Sequence, residues 1–459
     1  MHSDLSNYSH IHFIGIGGIS MSGLAEILLS KGYTVSGSDN AKTPLTEHLA
    51  SAGAKILYGQ SSDNITDDID FVVYTAAVKD DNPELASARI KNIPCITRGE
   101  LLGYIMKEHP VSIAVAGTHG KTSTTSMVSH IYLASHSDPT ILVGGILPSI
   151  NGNLRIGQSD VLITEACEYT NSFLSFYPTT AVILNVCEDH MDFFKDINDI
   201  RLSFKKFVNI LPENGNLVIN NTIPNIEYFT KDLNANIFIY GLEDKSLDIS
   251  ACNIVYNNLS QGEFDLYIKG KMKAHIKLSV PGAHNIENAL AAIGAAYANG
   301  EDISYIKEGI ESYKGTGRRF EFKGNLNGFT IVDDYAHHPD EITATLTTAK
   351  KCDVNDVWCV FQPHTYTRTK AFLKEFGTSL ALADKVILAD IYAAREKDTL
   401  GISSKNILEE LEKLGRDAYY FGSFEEIENF ILKNVKENDL LITMGAGNVV
   451  EIGENLLKK

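Results

Sequence analysis

The sequence predicts an α/β protein of three domains, and three observations support this fold class. Apolar runs of strand length alternate with amphipathic stretches of helical length, a pattern typical of parallel sheets covered by helices. Two glycine-rich loops, near residues 15 and 117, each stand between an apolar run and a helical stretch. The length of 459 residues exceeds what one core normally holds. We place the domains at residues 1–107, 108–314 and 315–459.

The N-terminal segment opens as half of a Rossmann-like unit. A strand over 11–14 leads into a glycine loop and a helix, and a second strand follows over 34–37. A further strand is predicted over 70–77. The free N–H groups of such a helix start bind a pyrophosphate, from a dinucleotide or from a uridine diphosphate sugar, and an acidic residue after the second strand meets a sugar hydroxyl. The candidate substrate-binding residues are Gly15, Gly17, Gly18, Ser38 and Asp39.

The central segment carries a second motif of this type, VSIAVAGTHGKTSTTSMV at residues 111–128. It predicts a buried strand, a tight glycine loop and a helix that begins at Lys121. Backbone N–H groups of such a P-loop stabilise a polyphosphate, Lys121 reaches its terminal phosphate and Thr122 offers a hydroxyl to magnesium. The alternative is a glycine turn before an ordinary helix. The candidate cofactor-binding residues are Gly117, Thr118, His119, Gly120, Lys121, Thr122 and Ser123.

Downstream strands of the central segment end in polar residues. Glu165 lies near the end of a strand predicted over 160–167, and His190 lies in CEDHMD, which follows a strand predicted over 181–186. Because ligands gather at the carboxyl ends of parallel strands, both residues should face the edge that carries the phosphate loop.

The rest of the central segment predicts an antiparallel excursion over 214–280 and then a helix over 286–298. Asn285, at the start of this helix, and Asn288 lie one turn apart on one face.

The C-terminal segment predicts another Rossmann-like α/β domain after a glycine hinge at 315–317. A strand over 329–334 leads to YAHHP, in which Tyr335 and His337 are either functional or part of a packed turn. Strands over 357–361, 386–389 and 440–443 follow, alternating with amphipathic helices. Of the adjacent Arg318 and Arg319, one contacts phosphate, or both form a solvated pair.

Composition excludes several function classes. A formal charge of −18 without a basic patch argues against nucleic acid as a partner. Six scattered cysteines without C-x-x-C spacing fit reduced thiols in a cytoplasmic protein. The apolar stretch over 11–29 contains His12, Glu26 and several glycines, so we expect neither a membrane span nor a signal peptide.

Taken together, six motifs resemble the Mur ligase family, the ATP-dependent amide-forming enzymes of peptidoglycan synthesis, over nearly the whole chain. The resemblance favours the branch that joins L-alanine to UDP-N-acetylmuramate. The motifs are GIGGISMSGLA at 15–25, GTHGKT at 117–122, HN-x-x-N at 284–288, GTGRRF at 315–320, DDYAHHP at 333–339 and FQPH at 361–364.

The resemblance implies that ATP, with Mg²⁺, phosphorylates a substrate carboxylate and that an amine attacks the acyl phosphate. It implies Lys121, His190 and Arg319 as catalytic residues and Thr122, Glu165 and His190 as metal ligands. It further implies that Asn285 and Asn288 contact adenine, Asp334 the ribose and Arg319 the phosphates, while Tyr335, His337 and Arg368 bind L-alanine. We expect a monomer or weak homodimer.

Some alternatives stay open. Glu165-Ala166-Cys167-Glu168-Tyr169 replaces the Glu-Ala-Asp-Glu-Ser of relatives, so either Glu165 or Glu168 holds the metal, with strand-end position favouring Glu165. Thr365 replaces an arginine of many relatives, and we assign no carbamylation to Lys205 or Lys206. A ligase that adds a preformed tripeptide to the same nucleotide sugar is a second hypothesis, and an NAD-dependent dehydrogenase fused to an ATP-binding domain is a third.

Overall fold

The computed structural model describes residues 5, 7–75, 78–191, 193–394 and 396–459. The chain divides into two compact units. The first unit comprises Met1–Gly241, Leu247–Ile249 and Leu290–Gly309, and the second comprises Leu242–Ser246, Ser250–Ala289 and Ile310–Lys459. The domain boundaries at 107/108 and 314/315 stay predictions.

The elements before the phosphate loop form a parallel sheet in the order β3-β2-β1-β4-β5. They are β1 His10–Ile14, α1 Ile19–Ser30, β2 Thr34–Asp39, α2 Pro44–Ser51, β3 Lys55–Tyr58, β4 Phe71–Tyr74, α3 Pro83–Ile90, β5 Cys95–Thr97 and α4 Arg98–Lys107. The strand predicted over 70–77 is therefore shorter, and Ala76 and Ala77 lie outside the described residues. The strand order changes direction at β1, the position that gathers ligands in such sheets.

A second, mostly parallel sheet of the first unit runs in the order β12-β11-β10-β6-β9-β7-β8. Its elements are β6 Val111–Ala116, α5 Lys121–Ala134, β7 Thr140–Leu147, β8 Gly152–Arg155, β9 Val161–Ala166, β10 Thr180–Ile183, α6 Ile197–Val208, β11 Asn216–Asn220, α7 Glu227–Thr230 and β12 Asn236–Leu242. Strand β6 pairs in parallel with β9 and β10, so their carboxyl ends share the edge at which the phosphate loop begins.

The second unit contains strands in the order β13-β14-β15 and a sheet in the order β16-β17-β21-β18-β19-β20. The former comprises β13 Ile249–Tyr256, β14 Gln261–Ile268 and β15 Lys271–Pro281. The helices α8 Ala283–Ala298 and α9 Ile303–Ser312 follow in the chain, and the stretch Leu290–Gly309, which contains most of both helices, belongs to the first unit. The latter sheet and its helices are β16 Glu321–Leu326, β17 Phe329–Asp334, α10 Pro339–Ala349, β18 Val357–Phe361, α11 Tyr366–Ala371, α12 Leu373–Leu380, β19 Lys385–Leu388, α13 Ser404–Lys413, β20 Asp417–Tyr420, α14 Phe424–Asn434, β21 Leu440–Met444 and α15 Val450–Leu456.

The predicted excursion over 214–280 is wrong in part. Strand β11 pairs in parallel with both β10 and β12, and the antiparallel pairing joins β14 to β15 across a turn at Lys269 and Gly270. Alternation of polar and apolar residues reports that a strand has one buried face, but it does not report strand direction. The helix predicted over 286–298 begins earlier, at Ala283, which places Asn285 inside α8.

Apolar faces of both sheets of the first unit contribute to one core, in which Phe173 stacks on Phe207 with ring centroids 4.5 Å apart. Strands β17, β18, β19 and β21 of the second unit are covered by apolar residues on both faces. Buried parallel strands of this kind confirm the predicted α/β fold class. Within the described residues, none of the helices combines the length and apolar character needed to cross a bilayer.

Candidate active site

The phosphate loop has the predicted strand, loop and helix. Strand β6 ends at Ala116 and α5 begins at Lys121, with Gly117 and Gly120 at φ +147° and +86° between them. Only glycine adopts such values without strain. A Cβ on Gly117 would also lie 2.8 Å from Cβ of Leu184, so both glycines are required by the backbone path.

The start of α5 leaves backbone donors available. The residue before it, Gly120, has no side chain to accept their hydrogen bonds, and α1 likewise begins after Gly18 without a side-chain cap. In contrast, Thr43, Thr97 and Asp196 cap α2, α4 and α6. Uncapped N–H groups at a helix start are suited to an anion, so both glycine loops of the first unit can bind phosphate.

The segment after β10 holds the phosphate loop in place. The side-chain oxygen of Asn185 accepts from the His119 N–H at 2.8 Å, and its amide donates to the His119 carbonyl at 3.0 Å. Thr118 Oγ1 accepts from the Cys187 N–H at 2.9 Å. Asn185 was not predicted from the sequence, although a polar residue just after a strand that neighbours the loop was a usable signal.

Lys121 folds back onto its own loop. Its Nζ donates to the carbonyls of Gly117 at 2.6 Å and Thr118 at 3.1 Å, and it lies 3.0 Å from Oε2 of Glu168. Burial alone would lower the pKa of Lys121, but the neighbouring acidic groups, Glu168 foremost and Cys167 and Glu165 with it, together outweigh burial and raise it. The ammonium group is therefore held charged where a terminal phosphate would enter.

Glu165, Glu168 and His190, the candidate metal ligands other than Thr122, differ in their contacts. Glu168 is only 2% exposed, and its Oε1 lies 4.0 Å from Nε2 of His190, whose ring packs on Tyr169 at 4.6 Å. Glu165 instead accepts a hydrogen bond from the Gly144 N–H. The structure thus brings Lys121, Glu168 and His190 together, with buried Thr122 next to Lys121 in the chain. Asp192 of the CEDHMD motif lies outside the described residues.

The N-terminal glycine loop is built differently. Gly15 has φ +81°, and the carbonyl of Ser38 accepts from the N–H groups of Gly15 and Ile16, both at 2.9 Å. Oδ2 of Asp39 accepts from the Gly17 N–H at 2.8 Å, and a Cβ on Gly17 would lie 2.7 Å from that oxygen. Asp39 therefore fixes the loop beside the uncapped start of α1.

Ser38 does not present its side chain to a ligand in this structure. The residue is fully buried, and its hydroxyl donates to Glu84 at 2.6 Å. Burial of Glu84 opposes its ionisation, but the imidazole of His12, 3.9 Å away, and hydrogen bonds from Ser38 and Asn64 together outweigh burial and lower its pKa. Ser38 supports the glycine loop through its carbonyl, which the sequence pattern did not distinguish from a direct contact.

In the second unit, Asn285 and Asn288 lie together at the start of α8, as predicted. Nδ2 of Asn288 donates to Oδ1 of Asn285 at 3.1 Å, and Nδ2 of Asn285 donates to the Pro281 carbonyl at 2.7 Å. Asn285 and Asn288 are 8% and 7% exposed. Two adjacent amides offer the donors and acceptors that an adenine edge requires.

The two adjacent arginines have different surroundings. Arg318 donates from Nε to Asp333 at 2.9 Å and from its terminal nitrogens to the carbonyls of Gly445 and Gly447, at 2.6 and 3.0 Å. Its guanidinium is committed to fixing the end of the sheet. Arg319 lies 3.8 Å from Glu341 and 5.3 Å from the centre of the Tyr335 ring.

Asp334 is buried at the end of β17. Its two oxygens accept from the N–H groups of Phe320 and Ala336, both at 2.8 Å. Burial raises the pKa of Asp334 to about 6, although Arg319 opposes this. The residue therefore holds the turn that presents Arg319 and Tyr335, and a ribose would compete for oxygens that already accept hydrogen bonds.

The predicted amino-acid contacts also gather in the second unit. The ring of His337 packs on Tyr335 at 5.4 Å and on His364 at 5.8 Å, and Nη1 of Arg368 lies 3.4 Å from Nδ1 of His364. Burial lowers the pKa of His364 to about 4, and Arg368 adds to this effect. The sequence predicted no role for His364 of the FQPH motif, and the structure adds it to this cluster.

Comparisons with known proteins cover the whole chain. Models of the Mur ligase family catalytic domain, the Mur ligase middle domain and the Mur ligase glutamate ligase domain match residues 10–110, 115–296 and 318–447. The UDP-N-acetylmuramate--L-alanine ligases of Lachnospira eligens and Agathobacter rectalis are 55% and 56% identical, over 99% of this chain and of each relative.

Solved structures show the same similarity. The UDP-N-acetylmuramate-alanine ligase of Thermotoga maritima is 31% identical, with a TM-score of 0.81 over 98% of both chains. A murein peptide ligase of Psychrobacter arcticus is 26% identical, with a TM-score of 0.73 over 98% of both chains. With this similarity along its full length and the phosphate loop described above, the chain belongs to the Mur ligase family.

Proposed function

We propose that this family member is an ATP-dependent ligase that joins L-alanine to the lactyl carboxylate of UDP-N-acetylmuramate in peptidoglycan synthesis. Full-length similarity to relatives named for these two substrates supports the proposal. The structural observation that carries it is Lys121, which is held charged at an uncapped helix start, beside buried Glu168 and close to His190. An NAD-dependent dehydrogenase has no use for such an arrangement.

The reaction has two steps in this proposal. A carboxylate oxygen attacks the terminal phosphorus of ATP, ADP leaves, and an acyl phosphate forms. The amine nitrogen of L-alanine then attacks the acyl carbon, phosphate leaves and the amine loses a proton. Lys121 leaves Glu168 to stabilise the charge on the transferring phosphoryl group, and Arg319 assists it.

Mg²⁺ is proposed to bind at Thr122, Glu165 and His190. The hydroxyl of Thr122 and the carboxylate of Glu165 are the hard oxygen ligands that Mg²⁺ prefers, whereas the imidazole of His190 acts better through a water. Buried Glu168 offers further oxygens next to His190. When bound, Mg²⁺ neutralises charge on the β- and γ-phosphates. Activity should be lost on chelation and regained with Mg²⁺.

The remaining nucleotide contacts are proposed in the second unit. Asn285 and Asn288 would hold adenine, and Asp334 would contact the ribose while it keeps Arg319 in position. The adjacent pair of buried amides supports the first assignment. Because Arg318 is committed to Asp333 and two carbonyls, Arg319 is the better candidate for the phosphates.

The amino-acid substrate is proposed to bind near Tyr335, His337 and Arg368. A guanidinium grips a carboxylate with two parallel hydrogen bonds, which suits Arg368 to the carboxylate of L-alanine. Tyr335 would contact the methyl group. A pocket of this kind discriminates one methyl group by about 1–3 kcal/mol, so glycine and L-serine should be weak substrates.

The decisive experiment is an amide-formation assay that offers L-alanine, glycine and the tripeptide L-Ala-D-Glu-meso-diaminopimelate side by side. We expect L-alanine to be used fastest, and Arg368→Ala to raise the KM for L-alanine while the KM for ATP changes little. Faster use of the tripeptide would favour the peptide-adding reaction of murein peptide ligases. If no phosphate is released in the presence of UDP-N-acetylmuramate, both the alanine-adding and the tripeptide-adding reaction are contradicted.

We further propose a cytoplasmic enzyme, because its six scattered cysteines fit reduced thiols. A monomer or weak homodimer is our proposal for its assembly, which light scattering after size-exclusion chromatography would test.

A further inference from the structure

A cavity of about 360 Å³ lies in the first unit beside the start of α4 and the short helical segment Tyr169–Ser175. Its wall includes Arg98, Cys167, Tyr169 and Asn171. Neither the sequence motifs nor the reaction assigned above uses Arg98.

The wall depends on close backbone approach. A Cβ on Gly99 would lie 2.9 Å from the Ser172 carbonyl oxygen, and a Cβ on Gly103 would lie 2.0 Å from that of Ser175. Thr170 and Asn171 have φ of 55° and 57°, in the left-handed region that favours glycine. Residues held in this region cluster at functional sites.

Several polar groups of the wall already have partners. The hydroxyl of Thr97 and the carboxylate of Glu100 form the capping box of α4, with Glu100 Oε2 accepting from the Thr97 N–H at 2.7 Å. The hydroxyl of Ser172 donates to the Cys167 carbonyl at 2.9 Å, and Asn171 accepts from Ser203. These groups build the wall and are not aimed at a ligand.

Arg98 is different. Within the part of the chain that the structure describes, its guanidinium forms neither a hydrogen bond nor an ion pair. Burial lowers the pKa of Arg98, and Cys167 and Glu165 only partly oppose this effect. Arg98 is half-buried at the wall of the cavity, and a guanidinium with five donors and no protein partner can bind an anion there with two parallel hydrogen bonds.

The cavity adjoins the residues assigned to phosphate transfer. Tyr169 of its wall packs on His190 at 4.6 Å, and the next residue along from Cys167 is Glu168, the partner of Lys121. The thiol of Cys167 is within electrostatic range of both Arg98 and Lys121. A group bound at Arg98 would therefore lie close to the reaction.

We propose that this cavity binds an anionic group of the nucleotide-sugar substrate, with Arg98 as its binding residue. The inference rests on the proposed function. The substrate has two such groups, the pyrophosphate and the lactyl carboxylate, and the planar fork of a guanidinium binds either with two hydrogen bonds.

The test is calorimetric titration of the full-length protein and its Arg98→Met and Arg98→Lys variants. UDP-N-acetylmuramate and UDP-N-acetylglucosamine, which has the same pyrophosphate but lacks the lactyl group, are the ligands. Both variants should bind UDP-N-acetylmuramate at least about tenfold more weakly, because neither keeps the fork. ATP affinity should be unchanged. An equal loss with both sugars assigns Arg98 to the pyrophosphate, and a loss confined to UDP-N-acetylmuramate assigns it to the carboxylate.

Stability separates a binding role from a structural one. Because Arg98 has no partner in the free protein, Arg98→Met should leave the melting temperature unchanged or raise it. Arg89→Ala, at an exposed arginine of α3, is the matched control and should bind both sugars like the wild type. If both Arg98 variants bind UDP-N-acetylmuramate within twofold of the wild-type affinity, the role of Arg98 is refuted while the proposed function stands. Failure of the wild type to bind UDP-N-acetylmuramate would instead overturn the proposed function.

Discussion

The first unit contains two glycine loops that share one local plan and differ in charge. Each follows a buried strand, precedes a helix without a side-chain cap and is fixed by a side chain from a neighbouring strand end. The N-terminal loop is fixed by an acid, Asp39, and the central loop by an amide, Asn185. Only the central loop carries a lysine, and a buried glutamate keeps that lysine charged.

This difference separates binding from chemistry. Uncapped N–H groups suffice to hold a pyrophosphate that does not react. A phosphoryl group in transfer needs additional positive charge where negative charge develops, which Lys121 supplies. Substitutions in the two loops should therefore affect different kinetic steps.

The largest effect is expected for Lys121→Ala, which should lower acyl-phosphate formation by about 10³-fold or more while UDP-N-acetylmuramate binding persists. Rapid quench with radiolabelled ATP measures the rate of acyl-phosphate formation, and calorimetry measures the binding of UDP-N-acetylmuramate. Turnover within tenfold of wild type would refute the assignment of Lys121.

The same substitution leaves Glu168 buried without its partner, which should destabilise the first unit by about 3–5 kcal/mol. Lys121→Met combined with Glu168→Gln should recover most of that stability in urea unfolding but no activity. Recovery of activity in the double variant would show that the charge of Lys121 is not required.

Gly17→Ala should raise the KM for UDP-N-acetylmuramate by about 10- to 100-fold with the KM for ATP unchanged, since its Cβ would lie 2.7 Å from Asp39 and displace it. Steady-state kinetics with each substrate varied in turn measures both values. Gly23→Ala, in the helix α1 that follows the loop, is the control, because its Cβ would meet Leu154 only at 3.8 Å. An equal effect of Gly17→Ala on both KM values would contradict separate roles for the two glycine loops.

Asn185→Ala removes the two hydrogen bonds to His119, so it should raise the KM for ATP by about tenfold and leave the nucleotide-sugar KM unchanged. The exposed Asn234 offers the control substitution Asn234→Ala, for which we expect no change in either constant. A selective loss of nucleotide-sugar affinity in Asn185→Ala would contradict the proposed division of labour.

The smallest effect concerns pH. Hydrogen bonds lower the pKa of Glu84 below its ordinary value of 4.5, so its carboxylate stabilises the N-terminal loop above that value. This contribution is lost as the pH falls through the lower, folded-state pKa. Glu84→Gln should cost about 1–2 kcal/mol of unfolding free energy at pH 7, and the difference from wild type should shrink below pH 4.5.

Asn185 does not titrate, so the corresponding difference for Asn185→Ala should stay constant over the same pH range. Urea unfolding at several pH values measures both differences. A difference for Glu84→Gln that stays constant with pH would show that ionisation of Glu84 does not support the loop.

Much of the candidate site follows from local sequence. The glycine loops, the starts of α1 and α5 and the end of β17 were predicted closely, because each depends on φ preferences and strand periodicity within a few residues. The paired amides Asn285 and Asn288 were predicted from helical spacing alone. The direction of the strands over 214–280 was not predicted correctly, because polar and apolar residues alternate in the same way in parallel and antiparallel strands.

The sequence alone determined which residues can carry charge and where backbone N–H groups are left uncapped. Tertiary structure decided which of these groups meet. Arg318 and Arg319 are chemically identical neighbours, yet Arg318 reaches Asp333 and the carbonyls after β21, whereas Arg319 lies beside Glu341 and Tyr335. Lys121 is 47 residues from Glu168, and the parallel pairing of β6 with β9 brings them together. Strand order sets such partners, because side chains at the ends of adjacent strands lie within hydrogen-bonding distance whatever their separation in the chain.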